Sequence, residues 1–251
     1  MVGRVESRTN AKVKHLRKLG TSRSYRYACK TFLCDGMKLL DEAYRSNAVI
    51  RQVFVEESKL DTLLAEREWL QSYPVFAVPE SVFSSMSSLD SPQAVLFECE
   101  MNLHPFLCAP RMVLLDHLQD VGNIGTIIRT ADAFSVSGVV LDGCADPYNP
   151  KTVRAAMGSI FRVPVMEADL MDAINALEAA EIPTYAAVLS DRAKDVREIN
   201  LKNAAVIIGN EGAGVRNELA ERCKNLIIPM SGQAESLNAA VAASILIWQM
   251  S

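Results

Sequence analysis

The sequence predicts an α/β protein with a small α/β domain followed by a larger α/β domain built on a parallel sheet. Short apolar runs alternate with amphipathic helical patterns along the chain, which is typical of layered α/β folds. Beyond residue 111 the runs are apolar throughout, as in parallel strands that helices cover on both faces. Residues 99–110, in between, contain two prolines and no clear period. We therefore predict domains at 1–104 and 105–251.

Two helical and two strand-like patterns alternate in the front domain. The second helix is the clearer one, because its leucines recur at helical spacing and share one face. The predicted elements are a helix at 38–46, a strand at 52–57, a helix at 60–70 and a strand at 74–78.

Strands and helices alternate more regularly in the second domain. Strands are predicted at 112–116, 138–143, 163–166, 184–189, 204–209 and 226–230. Helices are predicted at 123–134, 150–161, 170–181, 215–223 and from Leu237 onward. Ligands of open parallel sheets bind outside the carboxyl ends of the strands, so the loops that follow these strands are the candidate site.

The composition is that of an ordinary globular protein. The chain has 251 residues, of which 49% are hydrophobic, enough for a packed core. The start carries no apolar signal-like run, and the most apolar stretch, 239–248, is shorter than the roughly 20 residues that span a bilayer. Six scattered cysteines form no C-x-x-C pair. We expect a cytoplasmic protein with reduced thiols, no membrane association and no metal site.

Positive charge is concentrated at the start of the chain. Residues 1–30 hold nine basic residues and one acid, whereas the whole chain has a net charge of −4. Contacts to a polyanion need local rather than global positive charge, so this segment is a candidate nucleic-acid contact. A solvated basic helix is the alternative explanation.

The first loop of chemical interest, DHLQDVGNIGTIIR, leads from a predicted strand into a helix. Asn123 is able to cap that helix by accepting backbone N–H bonds, or to contact a ligand. Arg129, further into the helix, lies away from its apolar stripe. It is either an ordinary surface arginine or a cation directed at an oxyanion or phosphate.

The second loop, GNEGAG at 209–214, has glycines in the order G-x-x-G-x-G. This order differs from the G-x-G-x-x-G of dinucleotide folds, and no Lys-Ser/Thr pair follows to form a phosphate loop. The glycines permit close approach of backbone to a ligand. The spacing therefore argues against NAD or ATP, while Glu211 is either a solvated acid or part of the site.

The third loop, IPMSGQAESLNAA, connects the last predicted strand to the final helix. Ser236 and Asn238 are both suitable caps for that helix. The final helix, LNAAVAASILIWQM, is apolar nearly all round, so it must be buried within the subunit or against a partner.

Four stretches together resemble the successive motifs of the SpoU (TrmH-like) RNA ribose 2'-O-methyltransferases of the SPOUT superfamily. They are NIGTIIR (123–129), NPKTVRAAMGSIFRVPV (149–165), IIGNEGAGVRNEL (207–219) and IPMSGQAESLNAAVAASI (228–245). Their order and spacing match as well, and the resemblance covers residues 111–251. It departs at Val121, where the family commonly has proline.

The front of the chain shows a weaker resemblance to the small substrate-binding domain of many family members, which is similar to a ribosomal RNA-binding protein. The stretches SRTNAKVKHLRKL, TFLCDGMKLLDEA, IRQVFV and SPQAVLF carry it. Here Cys34-Asp35-Gly36 replaces the more usual V-E-G. This resemblance favours ribosomal RNA over tRNA as the substrate.

The resemblance implies a parallel sheet whose C-terminal segment forms a deep trefoil knot, S-adenosylmethionine as cofactor, and a homodimer. It implies that Arg129 acts on the ribose 2'-hydroxyl in trans, from the partner subunit. Arginine stays protonated in proteins, so we expect it to stabilise the developing alkoxide or to clamp a phosphate.

The other site residues follow from the same resemblance. Asn123 orients the arginine or the nucleotide, and Glu211 pairs with the Arg129 of another subunit or holds it in register. Ser236 and Asn238 bind the substrate or shape the pocket. Cofactor contacts are implied for Gly209, Asn210, Gly212, Gly214, Ile228, Pro229, Met230, Ser236 and Leu237.

Three alternatives remain at the level of sequence. The first is a tRNA 2'-O-methyltransferase, and the second is an inactive RNA-binding protein of the same fold, against which the joint presence of the five catalytic candidates argues. A nucleotide-dependent dehydrogenase is disfavoured by the glycine spacing. His117, beside Asp116, is a candidate base, but a histidine at a strand end more often caps or packs.

Overall fold

The computed structural model describes residues 2–86, 93–190 and 192–251, so Ser91 and Pro92 of the SPQAVLF motif lie outside the described residues. The chain forms two compact units. Unit 1 comprises the chain up to Met101 together with Tyr148–Phe161, and unit 2 comprises Asn102–Pro147 and Arg162–Ser251. The domain division at 104/105 stays a prediction, and segment 148–161, which it assigns to the second domain, groups with unit 1.

Strands and helices are numbered along the whole chain. The strands are β1 (Gly3–Arg4), β2 (Thr31–Asp35), β3 (Ile50–Glu56), β4 (Val75–Val78), β5 (Val95–Glu100), β6 (Met112–Asp116), β7 (Gly138–Asp142), β8 (Val165–Glu167), β9 (Thr184–Ala187), β10 (Lys194–Asp195), β11 (Ala205–Ile208) and β12 (Lys224–Ile227). The α-helices are α1 (Ala11–Thr21), α2 (Arg23–Cys29), α3 (Met37–Arg45), α4 (Leu60–Glu66), α5 (Glu80–Phe83), α6 (Val121–Ala133), α7 (Pro150–Ala156), α8 (Leu170–Ala179), α9 (Asn217–Arg222) and α10 (Ala239–Gln249). Short 3₁₀ turns lie at Glu57–Lys59, Glu68–Ser72, Ser159–Phe161 and Val196–Glu198.

Unit 1 is built on a mixed sheet with the strand order β1-β4-β3-β5-β2. β5 runs antiparallel to β2 and β3, while β1, β3 and β4 are parallel. On one face, Leu33 and Phe54 pack with α1. On the other side of β2, Phe32 contacts Tyr148 of the second segment, with ring centroids 4.9 Å apart. Helices α3 and α4 and strands β3 and β4 confirm the predicted elements, but the sequence patterns did not reveal β2 and β5.

The basic segment 1–30 is part of the folded unit 1 and not a separate arm. β1 pairs with β4, and α1 buries its apolar face in the core. Arg26 is buried. Lys14, Arg17 and Lys18 remain exposed on α1, so the segment keeps a basic surface of the kind that the charge count predicted.

Unit 2 is built on a sheet with the order β10-β12-β9-β11-β6-β7-β8, in which every described pairing is parallel. Met112, Leu114 and Ile207 point to a core that includes residues of α8 and α9. α10 contacts β11, and α6 packs on β7 and α10. The predicted parallel α/β sheet is confirmed, and burial on both faces explains why its strands are apolar throughout.

Capping side chains account for two helix boundaries that differ from the prediction. α6 begins two residues early because Asp120, rather than Asn123, is its N-cap; the Asp120 carboxylate accepts the Asn123 N–H at 2.8 Å. α7 ends at Ala156, where Met157 takes a left-handed conformation (φ 52°). Asn238 caps α10 by accepting N–H bonds from Ala240 (2.9 Å) and Val241 (3.2 Å), so of the two suggested caps the structure uses Asn238.

Candidate active site

A cavity of about 290 Å³ lies in unit 2 at the carboxyl ends of the neighbouring strands β11, β9 and β12. This is the position that the parallel-sheet rule predicts for a ligand. The second and third loops of interest form much of its wall. Its lining residues are Ala187, Val188, Leu189, Ile208, Gly209, Asn210, Glu211, Gly212, Gly214, Leu226, Ile227, Ile228, Met230, Glu235, Ser236, Leu237, Ala239 and Ala242.

Eight of the nine predicted cofactor residues line this cavity. Pro229 does not, and it is exposed. The sequence patterns missed Ala187, Val188 and Leu189, which follow or end β9. Their signal was the position of the run TYAAVL, because the end of any parallel strand beside two candidate loops belongs to the same edge of the sheet.

The loop 209–214 is shaped by its own hydrogen bonds. The Asn210 side-chain oxygen accepts the N–H groups of Gly212 (2.9 Å) and Ala213 (3.0 Å), and its side-chain nitrogen donates to the His117 carbonyl at 2.8 Å. The main chains of Asn210 and Gly214 also bond to each other. Asn210 therefore holds the loop through both ends of its amide.

All three glycines of this loop line the cavity, but they differ in what surrounds them. A Cβ on Gly209 would lie 2.1 Å from the Gly214 carbonyl carbon, so Gly209 is required by the loop itself. Gly214 has a φ of +73°, a left-handed conformation that glycine adopts readily. The space that a Cβ would fill is open at Gly214 and, apart from the Asn210 side-chain oxygen at 3.7 Å, at Gly212, and both residues border the cavity.

Glu211 binds the first loop. Its carboxylate accepts the backbone N–H groups of Gln119 (3.2 Å) and Asp120 (3.0 Å) and the side-chain amide of Asn123 (3.1 Å). Partial burial by itself would raise the pKa of the Glu211 carboxyl, but these hydrogen bonds, and one from its own backbone, lower it below its ordinary value. The carboxylate is therefore held in its charged form as an acceptor for the start of α6.

Asn123 links all three loops. It is buried, it donates to Glu211, and its side-chain oxygen accepts the Asn238 side-chain amide at 3.0 Å. The resulting chain Glu211–Asn123–Asn238 joins residues that lie 88 and 115 positions apart. Three of the five predicted catalytic residues are thus in direct contact.

Arg129 is exposed on α6, and none of the described residues forms a hydrogen bond or ion pair with it. Glu211 faces the start of α6 and does not contact Arg129 within the single chain, so their pairing, expected across subunits, stays a prediction. Ser236 lines the cavity and is exposed. The arginine is therefore free to meet a substrate or another subunit.

An ion-pair network that the sequence patterns missed supports the strand ends. Asp116 is fully buried and accepts both the backbone N–H (2.8 Å) and the Nε–H (2.7 Å) of Arg216. Arg216 also pairs with Asp142 at the end of β7. Burial would lower the pKa of Arg216, but the two carboxylates raise it. The Nδ1–H of His117 donates to the Asp116 carboxylate, and the ring packs over Gly143, which makes His117 part of this support.

The charge of the cavity wall is distinctive. Among the described residues no lysine, arginine or histidine lines it, whereas Glu211 and Glu235 do. Such a wall suits a ligand that carries positive charge and disfavours phosphates. The part of the chain that the structure describes contains no cluster of side chains suited to a metal ion. No helix within it has the length and apolar character to cross a membrane.

A groove runs between α6 and α10 on the other side of the Asn123–Asn238 contact. It has a volume of about 530 Å³ and is mainly apolar. Val241 and Trp248, at 49% and 61% exposure, are open to solvent along it. Burial of α10 entirely within one subunit is therefore wrong, and its burial against a partner stays a prediction.

Comparison with known proteins yields matches over nearly the whole chain. Residues 110–248 match the SpoU rRNA Methylase family, and residues 10–96 match the MRM3-like substrate binding domain. The chain is 38% identical over 249 residues, covering 98% of both chains, to the 23S rRNA (guanosine(2553)-2'-O)-methyltransferase RlmP of Bacillus subtilis.

Solved structures of full-length relatives share the fold. The AdoMet-bound rRNA methyltransferase of Sinorhizobium meliloti has a TM-score of 0.86 at 34% identity, covering 99% of this chain and 97% of that one. The SpoU methyltransferase AviRb of Streptomyces viridochromogenes, also in complex with AdoMet, has a TM-score of 0.85 at 28% identity, covering 96% and 97%.

Proposed function

The chain belongs to the SpoU rRNA methylase family, and on that premise we propose that it methylates a ribose 2'-hydroxyl of 23S ribosomal RNA in the cytoplasm. It is an S-adenosylmethionine-dependent RNA 2'-O-methyltransferase, as the resemblance of its motifs implied. The observation that carries the proposal is the cavity at the ends of β9, β11 and β12, into which the family motifs converge.

The cavity fits S-adenosylmethionine by its chemistry. Apolar side chains such as Ile228, Met230 and Leu237 provide walls for an uncharged adenine, and backbone groups at the strand ends provide hydrogen-bond partners. The absence of cationic side chains from the described wall, together with two glutamates, suits a sulfonium. When bound, the cofactor supplies a methyl group that is already activated for displacement.

The protein must then position a very weakly acidic hydroxyl. The hydrogen-bonded chain Glu211–Asn123–Asn238 holds the three loops in one arrangement, so that the cavity wall and the start of α6 stay in register. Ser236, exposed in that wall, donates to or accepts from the substrate. Arg129, permanently charged, stabilises the developing alkoxide or clamps an adjacent phosphate.

A homodimer completes this site. The apolar groove between α6 and α10 exposes Val241 and Trp248 and also borders Asn123 and Asn238. In a two-fold dimer packed on this groove, residues that flank it on one subunit face the groove of the other. Arg129 lies one turn beyond Thr126, which lines the groove, so it reaches the opposite subunit's asparagines in such a dimer.

We further propose that the C-terminal segment forms the trefoil knot of the family. Two features support it. β12 lies beyond β9 rather than next to β11, and the segment that follows β12 returns to Asn123 through Asn238. The same family premise assigns unit 1 to binding of the RNA, as the match of residues 10–96 to a substrate binding domain suggests.

Methylation mapping tests the function. Deproteinised 23S ribosomal RNA and tRNA, each lacking the mark, are incubated with the protein and labelled S-adenosylmethionine, and 2'-O-methyl positions are mapped. We expect one modified ribose in the ribosomal RNA and none in tRNA. Methylation confined to tRNA contradicts the proposal, and so does the absence of any methylation by folded protein.

The variant Arg129→Ala tests the role assigned to Arg129 in methyl transfer. We expect its turnover to fall at least about 100-fold, a typical loss for a group that stabilises an oxyanion, while S-adenosylhomocysteine binding measured by calorimetry stays unchanged. Retained turnover would show that the role assigned to Arg129 is wrong.

A further inference from the structure

A second concave site lies wholly within unit 1. It is a cleft of about 740 Å³ bounded by the start of α3, by Lys59, and by Arg154 and Met157 at the end of α7. Its volume is in the range of sites that hold a nucleotide-sized ligand. It is separate from the cavity at the ends of β9, β11 and β12, and the mechanism above does not use it.

Unpaired positive charge is the first property of this cleft. Lys38, Lys59 and Arg154 are exposed, and none of them forms an ion pair with a described residue. The two acids of the wall are already engaged. Asp41 accepts Arg67 through both oxygens at 2.7 and 3.0 Å, and Asp35 accepts the Gln93 backbone N–H at 3.0 Å. Among the described residues of the wall, an anionic ligand therefore meets three unpaired cations, while both carboxylates already accept hydrogen bonds.

The start of α3 adds a second feature that favours anions. Its N-cap residue is Gly36, which has no side chain to accept the first N–H groups of the helix. Met37, Lys38 and Leu39, the first residues of the helix, all line the cleft. The positive end of a nine-residue helix thus opens into the same space as the free cations.

Met157 adds an apolar side chain to the wall of the cleft, although its backbone conformation is one that non-glycine residues adopt uncommonly. It takes a left-handed conformation (φ 52°), which is uncommon for a residue with a side chain, and it remains 45% exposed. A glycine would satisfy this backbone better. The exposed methionine side chain lines the cleft beside Arg154 and offers an apolar surface suited to the flat face of a base.

We propose that this cleft binds a segment of the substrate RNA, with Lys38, Lys59 and Arg154 on phosphates and Met157 against a base. The inference rests on the proposed function, since that function makes RNA the polyanion at hand. It assigns substrate binding to residues outside the basic segment 1–30, which the charge count had favoured. The cleft includes α7, so the motif NPKTVRAAMGS contributes to RNA binding.

The first test removes the three cations. The full-length variant Lys38→Ala, Lys59→Ala, Arg154→Ala is titrated with deproteinised 23S ribosomal RNA at several salt concentrations. We expect binding at least about tenfold weaker, and a slope of log K against log salt reduced by about 2, since each lost phosphate contact removes somewhat less than one unit. The control Arg192→Ala, Lys194→Ala, Lys202→Ala removes equal charge from exposed positions of unit 2, outside the cleft, and should bind as the parent does.

The second test isolates Met157. We expect Met157→Gly to weaken RNA binding several-fold without changing the salt slope or lowering the melting temperature. Glycine adopts the left-handed conformation of this residue readily, so we expect the variant to fold. It therefore still tests RNA binding by the cleft if the triple variant folds poorly.

The outcomes distinguish a failure of the proposed RNA-binding cleft from a failure of the proposed methyltransferase function. The proposal that this cleft binds RNA is overturned if the folded triple variant has the RNA affinity and the salt slope of the parent. It is also overturned if Met157→Gly has the RNA affinity of the parent. The triple variant is also titrated with inorganic phosphate. If it no longer binds phosphate but binds RNA as the parent does, the proposal is overturned and the cleft is a small-anion site. A parent protein that binds ribosomal RNA through these residues but methylates none of it contradicts the proposed function and supports the cleft.

Discussion

Asn123 shows how one side chain serves structure and function at once. Its backbone N–H satisfies the cap of α6, its amide nitrogen binds Glu211, and its amide oxygen binds Asn238. Each partner belongs to a different loop, so Asn123 is the point at which the three loops are joined. Truncation would leave two polar partners without their bonds, which is costlier than the loss of one surface hydrogen bond.

Glu211 gives a pH-dependent prediction at the same scale. The pKa of its carboxyl is lowered in the folded state from an ordinary value of 4.5. The carboxylate therefore contributes stability that is fully present above pH 4.5 and is lost as the pH falls through the lower native value. We expect Glu211→Gln to melt roughly 2–4 °C below the parent at pH 7, and this difference to shrink below pH 4.5.

Thermal melts from pH 3 to 8 measure this difference. Glu235→Gln is the control, because it removes an equal charge from the same cavity wall without removing a hydrogen bond to a described residue, and it should melt as the parent does at pH 7. A Glu211→Gln difference that is equally large at pH 3 and pH 7 would show that the carboxylate's charge is not what stabilises the loop.

At the scale of elements, α10 combines two surfaces. One side packs on α6 and β11 and is buried. The other carries Val241 and Trp248 into solvent beside the site asparagines. An exposed tryptophan on an apolar groove is typical of an interface, where aromatic residues contribute much of the binding energy. The packed side explains half of the apolar surface of α10, and the proposed dimer accounts for the other half.

Trp248→Glu tests the interface. We expect this variant to be a monomer by light scattering at micromolar concentration and to lose methyl transfer, because a charge on the groove opposes packing and separates Arg129 from the opposite site. Its circular dichroism should match that of the parent. Val49→Glu, which changes another exposed apolar residue in unit 1, should leave the dimer intact. A dimeric Trp248→Glu protein would mean that the subunits associate elsewhere.

At the scale of the whole molecule, unit 1 is discontinuous in sequence. Segment 148–161 lies between two stretches of unit 2 but packs with unit 1. Tyr148 and Ile160 are buried there, and Tyr148 and Phe161 both contact Phe32. A cut at the predicted boundary of 104/105 therefore separates this segment from its core.

Expression of residues 105–251 alone tests that conclusion. We expect the fragment to bind a hydrophobic dye and to melt below the corresponding transition of the full chain, because burial of such aromatic and aliphatic side chains is worth about 1.5–3 kcal/mol each. Adding residues 1–101 as a separate chain should reduce the dye binding. A fragment that melts as the full chain does, with no dye binding, would show that the segment is stable without unit 1.

Much of this organisation was predictable from the sequence. The parallel sheet of unit 2, the site at its strand ends, half of the cavity residues and the family all follow from the sequence, since apolar runs, turn residues and motif spacing are local signals. The mixed sheet of unit 1 was less accessible. β2 and β5 lie beside each other in the sheet yet are far apart in the chain, and their short runs resemble the surrounding helical patterns.

Only the tertiary structure decided what each site residue touches. The sequence determined that Glu211, Asn123 and Asn238 follow parallel strands, but not that Glu211 binds the start of α6, that Asp120 caps this helix, or that Gly209 is required by Gly214. The Glu211 and Asn238 contacts join residues about 90 to 115 positions apart, and no local period specifies which pairs meet. Packing of the strands brings the loops to one edge, and the hydrogen bonds that each polar group must satisfy then select its partner.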